Sequence, residues 1–285
     1  MKIANIVKKY LPKFYDKGAD IYRKRICCSG IRIEFIQKHI EGKLFLKKCD
    51  GKAEKIPIYI LSYNRLSYLE KIISYLENKN LRNIIIIDNA STYPPLLEYY
   101  TTLKYPIIKM DQNYGHSVFF EHRYFRRIRW FSHYVYTDPD VLPILDCPSD
   151  FMSVFYDYLR LHKTIYKIGF SLKIDDIPDD YEYKSEVISW ESRFYDCDIS
   201  TDGIPLYDAP IDTTFALYRP KIFAPRNFYS ALRTGFPYQA RHLPWYKRRD
   251  DLTDEDKYYI ASTVKTTGNW NYDMDKETLK ERYDL

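Results

Sequence analysis

Glycine is scarce in this chain, nine in 285 residues. No Gly-x-Gly-x-x-Gly follows the first apolar run, and no Gly-x-x-x-x-Gly-Lys-Ser/Thr loop occurs anywhere. Both motifs work by letting backbone amides approach phosphates closely, so their absence argues against dinucleotide oxidoreductases and P-loop kinases. Long hydrophobic runs are missing too: none approaches the ~18 apolar residues a membrane-spanning helix needs. Lys2, Lys8 and Lys9 leave too short an apolar stretch for a secretory signal. Cysteine is sparse and odd in number, five, with no Cys-x-x-Cys spacing, which points to reduced thiols in a cytoplasmic protein. Distributed basic charge is also lacking. Residues 1–25 hold eight Lys or Arg against two Asp, leaving 36 basic and 37 acidic side chains in the rest of the chain. A nucleic-acid binder is disfavoured on that balance. What remains is one basic, amphipathic N-terminal segment, read either as a solvated helix or as a peripheral contact with the inner face of an anionic membrane. Aromatic residues are abundant, with 30 Tyr and 15 Phe. Aromatic clefts suit sugars and bases, but most of these rings are expected in the core.

Asp50-Gly51 marks a turn or hairpin tip that closes an N-terminal appendage, residues 1–55, and the main domain follows as residues 56–285. The domain opens on the continuous apolar run Ile56 to Leu61, a buried strand. Ser62 and Asn64 offer N-caps to a helix whose inner face is Leu66, Leu69, Ile72, Ile73 and Leu76. Asn83–Asp88 reads as a second strand, Pro94-Pro95 as a helix start, and Pro106–Met110 as a third strand. Val118–Trp130 reads as one helix and His133–Thr137 as a fourth strand. Strand and helix alternate with short links, so a mostly parallel α/β sheet flanked by helices is expected, with function at the carboxyl ends of its strands. Beyond residue 150, Phe151–His162 reads as a helix, and Tyr166–Leu172 and Thr213–Tyr218 as strands. Ile174–Ile211 is expected to be loop-heavy, part of a substrate-specific half spanning residues 141–285.

The fourth strand ends in Asp138-Pro139-Asp140. Asp and Pro are ordinary turn residues. Two carboxylates this close also repel, and Mn²⁺ or Mg²⁺, bound through oxygen and bridging to phosphate, relieves that repulsion. The strand ends run in order Ser62-Tyr63-Asn64-Arg65, Asp88-Asn89-Ala90-Ser91, Asn113-Tyr114-Gly115-His116 and Asp138-Pro139-Asp140. In that order they resemble a glycosyltransferase of the GT-A fold (Rossmann-like), family 2 type, with Asp138-Pro139-Asp140 as its Asp-x-Asp motif. The resemblance is close over residues 56–140, the nucleotide-binding half, and looser beyond.

The resemblance implies transfer from a nucleotide-sugar, a UDP-sugar foremost, to a saccharide or lipid-linked acceptor in bacterial-type surface polysaccharide assembly, with inversion. It places Ser62, Tyr63, Asn64, Arg65 and Asp88 on base and ribose. Asn113, Gly115 and His116 fall near the nucleotide, Asp138 at ribose and metal, and Asp140 on the metal. His242, in Arg241-His242-Leu243-Pro244-Trp245-Tyr246, would complete the metal shell or serve structurally, with Arg241 on the diphosphate. The acceptor hydroxyl needs a base. Asp212 is the first candidate, with Asp208 and Glu191 as rivals, because the family's Glu-Asp pair is absent. Arg123, Arg126, Arg127 and Arg129 read as a solvated or membrane-facing stripe. The competing readings are a nucleotidyltransferase, which typically carries a Gly-rich basic loop not found here, and a non-catalytic sugar-nucleotide-binding scaffold.

Overall fold

In a computed structural model, residues 53–200, 203–221 and 230–263 are described. The basic segment 1–25, the Asp50-Gly51 turn and nearly all of the expected appendage lie outside them. Alternation explains the first strand. In β1 (Ile58–Ser62) every residue is buried, yet successive side chains must face opposite ways. Ile58 and Ile60 join one apolar cluster, with Leu69, Ile72 and Leu76 of α1 (Leu66–Asn78). Tyr59 and Leu61 join another on the far side. That second layer is where many of the aromatic rings go. The Phe119 ring sits 4.9 Å from Tyr59, 4.8 Å from both Phe125 and Tyr134, and 5.0 Å from Tyr136. Tyr134 stacks on Tyr218 at 4.9 Å.

The other parallel strands are β2 (Ile84–Asp88), β3 (Ile107–Lys109) and β4 (Tyr134–Thr137). With β1 they lie in the order β3-β2-β1-β4, all parallel. Between them run α1 and α2 (Pro94–Thr102), which starts on its two prolines as expected. The sheet continues as β8 (Ala216–Tyr218), β6 (Lys167–Leu172), β9 (Ala231–His242) and β5 (Val141–Pro143), with β7 (Leu206–Asp208) also on β9. Here the directions are mixed: β8 is antiparallel to both β4 and β6, and β5 is antiparallel to β9. α5 (Phe151–Leu161) packs Phe151 and Phe155 against Phe170 of β6. The expected α/β class, a central sheet flanked by helices, is present.

Four local expectations are corrected. The helix expected over Val118–Trp130 is broken into α3 (Val118–Glu121), a 3-10 turn at Arg123–Phe125 and α4 (Arg126–Phe131), because His122 is extended. The strand expected from Thr213 begins only at Ala216, since Thr213 turns to bond Asp138. The loop-heavy span contains α6 (Lys184–Glu191) as well as β7. Neither Ser62 nor Asn64 caps α1: Arg65 holds the N-cap position without a side-chain bond. The Glu255 carboxylate, from α7 (Asp254–Ser262), accepts instead from the Ser67 amide at 2.9 Å and the Ser67 hydroxyl at 2.7 Å. No described helix is long and apolar enough to cross a membrane.

Candidate active site at the strand ends

Register levels the strand ends. Ser62 pairs with Asp88 across β1 and β2, and Ile60 pairs with Thr137 across β1 and β4, so Asp138 to Asp140 emerge beside Ser62. The loops after β1 and β2 are cross-linked and buried. Asn64 adopts a left-handed backbone, φ 51°, which Asn tolerates better than most residues. Its amide donates to Ser91 Oγ, and its side-chain oxygen accepts from the Thr92 and Tyr93 amides at 2.7 and 2.9 Å. Asp88 is 3% exposed and accepts from the Ser91 amide and, at 3.3 Å, from the Tyr100 hydroxyl, which lies closer to Ser62 Oγ at 2.9 Å. Asn89 ties in the third strand end: its Nδ2 donates to Asn113 Oδ1 at 2.7 Å and to the Gly115 carbonyl, and its Oδ1 accepts from the Tyr114 amide. Gly115 has φ 73° and open space where a Cβ would stand, so the left-handed backbone alone favours glycine there. His116 is exposed, and its carbonyl accepts from the Tyr136 hydroxyl.

The Asp pair is electrostatically uneven. Burial, then the neighbouring Asp140 charge and Asp212, push Asp138 well above the usual carboxylate range, although Thr213 donates a hydrogen bond to it. Burial also acts to raise Asp140, but His242 and Arg65 outweigh it and hold that carboxyl low. His242 lies opposite Val141 in the β5–β9 register, which sets its Nε2 3.6 Å from Asp140 Oδ2. The His242 ring meets Trp245 edge-on at 4.8 Å, and its Nδ1 is buried without a hydrogen-bond partner.

Asp212 belongs to the same group. Its charge is felt at Asp138, Tyr136 and Tyr218, and it is the exposed residue of a segment in which Ile211, Thr213 and Thr214 are buried. The rivals are placed differently. Glu191 is 5% exposed and forms a 2.7 Å ion pair with Arg233. Asp208 ends β7, where its amide donates to the Cys197 carbonyl and its charge faces Cys197. Arg241 also takes another partner than the one expected. Adjacent to His242 on β9, it projects to the opposite side of the strand, and its guanidinium and the Tyr246 hydroxyl both bind the Asp176 carboxylate.

Three of the residues expected to hold a nucleoside are engaged by α7. Arg65 pairs with Asp256 at 2.6 Å and lies 3.9 Å from the centre of the Tyr259 ring. Asn64 Nδ2 donates to Ser262 Oγ, and the Tyr63 hydroxyl donates to the Ser262 carbonyl, each at 2.9 Å. Tyr258 donates to Thr92 in the β2 loop. This helix went unread in the sequence, although Thr253-x-x-Asp256 is a legible capping pattern and both of its reciprocal bonds form. Lys167, a lone cation at the head of an apolar run, is a second readable signal that went unread.

A divalent cation has suitable oxygen donors in Asp138 and Asp140, with His242 Nε2 3.6 Å from Asp140 Oδ2. Among the described residues, no three His, Cys, Asp or Glu side chains are grouped to hold an ion by themselves. That donor set suits an ion bound by one or two carboxylates and completed by substrate phosphates.

No family model matches the chain, and no curated protein matches it. Among solved structures it is similar to the mannosyltransferase PcManGT from Pyrobaculum calidifontis in complex with GDP-Man and Mn²⁺. The two are 13% identical with a TM-score of 0.37, over 57% of this chain and 44% of that one. It is also similar to a fragment of TarS from S. aureus, at 13% identity and a TM-score of 0.31, over 45% and 39% of the two chains. The chain thus spans less than half the length of either neighbour.

Proposed function

We propose that the chain is a metal-dependent glycosyltransferase of the GT-A type, using a nucleotide-sugar, a UDP-sugar foremost. The observation that carries this reading is the meeting of Asp138, Asp140 and Asp212 at the carboxyl end of the parallel strands, with His242 against Asp140. Burial, the neighbouring Asp140 charge and Asp212 all push the Asp138 carboxyl up, and a bound cation would relieve that. Binding of Mn²⁺ or Mg²⁺ through Asp138 and Asp140, with His242 alongside, would supply positive charge for the diphosphate that leaves.

The protein's own part is positional. Asn64, Asp88, Asn89 and Asn113 knit three strand-end loops into one rigid wall, so a bound nucleoside meets preorganised groups. Asp212 accepts the proton of an acceptor hydroxyl while the anomeric carbon–oxygen bond to diphosphate breaks and the new glycosidic bond forms. Attack opposite the leaving group inverts the anomeric centre. The acceptor is a saccharide or lipid-linked sugar in glycan assembly, and residues 1–25 would bring the protein to an anionic membrane surface.

The scaffold reading has one observation in its favour: α7 already uses the polar groups of Tyr63, Asn64 and Arg65. One experiment separates the two. Incubating the protein with a panel of nucleotide-sugars and Mn²⁺ should release nucleoside diphosphate from one donor, with the signal abolished by chelation. Tight UDP binding without turnover on any donor or acceptor would favour the scaffold.

A further inference from the structure

Two buried cations meet the chain immediately ahead of Asp212. Lys167 opens β6 and is 2% exposed; Arg233 lies in β9 and is 3% exposed. Register pairs Lys167 with Ala231 and Gly169 with Arg233. Alternate residues of a strand share a face, so both side chains leave the sheet on the same side. Lys167 Nζ donates to the Ile211 carbonyl, and to the Tyr218 hydroxyl at 3.4 Å. Arg233 Nε donates to the preceding carbonyl, Pro210, at 2.8 Å. Glu191 and the Phe194 ring, 4.0 Å away, hold the rest of that guanidinium. Beyond Asp212, Thr213 bonds Asp138 through both its carbonyl and its hydroxyl. The chain then closes on β6 at Gly169, where a Cβ would stand 2.3 Å from the Phe215 carbonyl oxygen.

Asp212 is therefore an exposed carboxylate on a backbone anchored on both sides. Burying cations is expensive unless they are well paired, and neutral donors would satisfy two loop carbonyls at lower cost. We propose that Lys167 and Arg233 are positioning residues that fix the Pro210-Ile211 backbone and so hold the Asp212 carboxylate beside Asp138. The inference rests on the reading of Asp212 as the base. Burial pulls the Lys167 ammonium down to about 7, with Asp212 opposing that loss of charge and Arg233 adding to it. The Lys167 charge is thus partly sustained by the carboxylate it helps to place.

The test uses the full chain with Lys167→Met, which keeps length and removes the donor. Transfer turnover should fall about 10–100-fold, because displacing a reacting group by about 1 Å costs that much. Donor KM and calorimetric UDP affinity should stay within about twofold, on the same reasoning that ground-state binding does not use the displaced group. In the Asp212→Asn background the same change should add nothing, since the two act through one group. An undiminished turnover, or a full additional loss in that background, overturns the proposal. If Lys167→Met does not fold, Arg233→Lys, which keeps a charge for Glu191 but removes Nε, should give the same selective loss of turnover. Hydrogen exchange of the peptide covering Pro210–Phe215 separates the two readings. Faster exchange in Lys167→Met supports the clamp, and unchanged exchange overturns it whatever Asp212→Asn does. Wild-type transfer by Asp212→Asn overturns the base reading and, with it, the catalytic half of this inference.

Discussion

Asp256→Asn is the substitution whose consequences can be worked furthest from the geometry. The Asp256 carboxylate is 3% exposed, and Arg65 and Lys247 each bind it at 2.6 Å. It also accepts from the Thr253 amide and hydroxyl at the start of α7. Burial works against its charge, but Lys247, Thr253 and Arg65 prevail and pull the carboxyl down to about 2. An unfolded Asp titrates near 3.9, so the gap is worth about 2.6 kcal/mol of stability at neutral pH. Deleting one partner of a buried ion pair costs about 3–5 kcal/mol. Asn keeps the shape and part of the hydrogen bonding, so a smaller loss of about 2–3 kcal/mol is expected, at or below the lower end of that range.

The pH dependence has a fixed sign. The folded carboxyl is depressed, so the unfolded chain takes up a proton first as pH falls. The contribution is complete above about pH 5, erodes below about pH 4 and is gone once pH has fallen through about 2. Urea titrations of wild type and Asp256→Asn should therefore differ at pH 7 by roughly 1 M in midpoint, taking about 2–3 kcal/mol per M as the slope. The two curves should converge as pH drops from about 4 to 2. Equal midpoints at pH 7 would refute the reasoning, as would a gap that persists unchanged in acid. Because α7 also braces Tyr63, Asn64 and Arg65, the variant should lose UDP affinity too, for want of preorganisation.

Asp140→Asn should abolish Mn²⁺-dependent turnover while leaving the melting midpoint near that of wild type; unchanged turnover would remove Asp140 from the metal role. Phe119→Ala deletes a fully buried ring that touches Tyr59, Phe125, Tyr134 and Tyr136, and should cost about 3–5 kcal/mol in denaturant titration. A loss under about 1 kcal/mol would show that the layer collapses to fill the gap. Removing residues 1–25 should release the protein from anionic liposomes in a flotation assay, and unaltered flotation would place membrane contact elsewhere.

The parallel half of the sheet was legible because β1, β2 and β4 are covered on both faces and so read as unbroken apolar runs. The order of polar residues at their ends was legible for the same reason: a buried strand can change to polar only where it leaves the sheet. The break at His122 was not legible. Val118, Phe125 and Arg129 all turn inward at helical spacing, so the periodicity runs on through an extended residue. Thr213 and Thr214 looked like strand because β-branched residues favour it, yet Thr213 is committed to Asp138. Glu191 and Arg241 were offered for chemistry as free charges. Their partners, Arg233 and Asp176, lie 42 and 65 residues away, and pairing across such separations leaves no local pattern to read.

Strand direction explains why Asp212 and His242 arrive where they do. β8 runs antiparallel to β4, so its first residue, Ala216, stands opposite Tyr136 near the end of β4. The segment entering β8 must then pass the residues leaving β4, which is why the Asp138 amide finds the Thr213 carbonyl at 3.0 Å. Strand direction matters again at the far end of the strand order. β5 starts directly after Asp140 and pairs antiparallel with the end of β9, which sets His242 opposite Val141. Had β8 joined in parallel, the loop entering it would have emerged at the opposite edge of the sheet, away from the Asp pair. These strand directions thus bring residues more than 70 and 100 positions downstream to one pair of carboxylates. The carboxyl end of the parallel half supplies Asp138 and Asp140, the turn into the reversed β8 supplies the candidate base, and the carboxyl end of β9, which runs in the same sense as β4, supplies the imidazole.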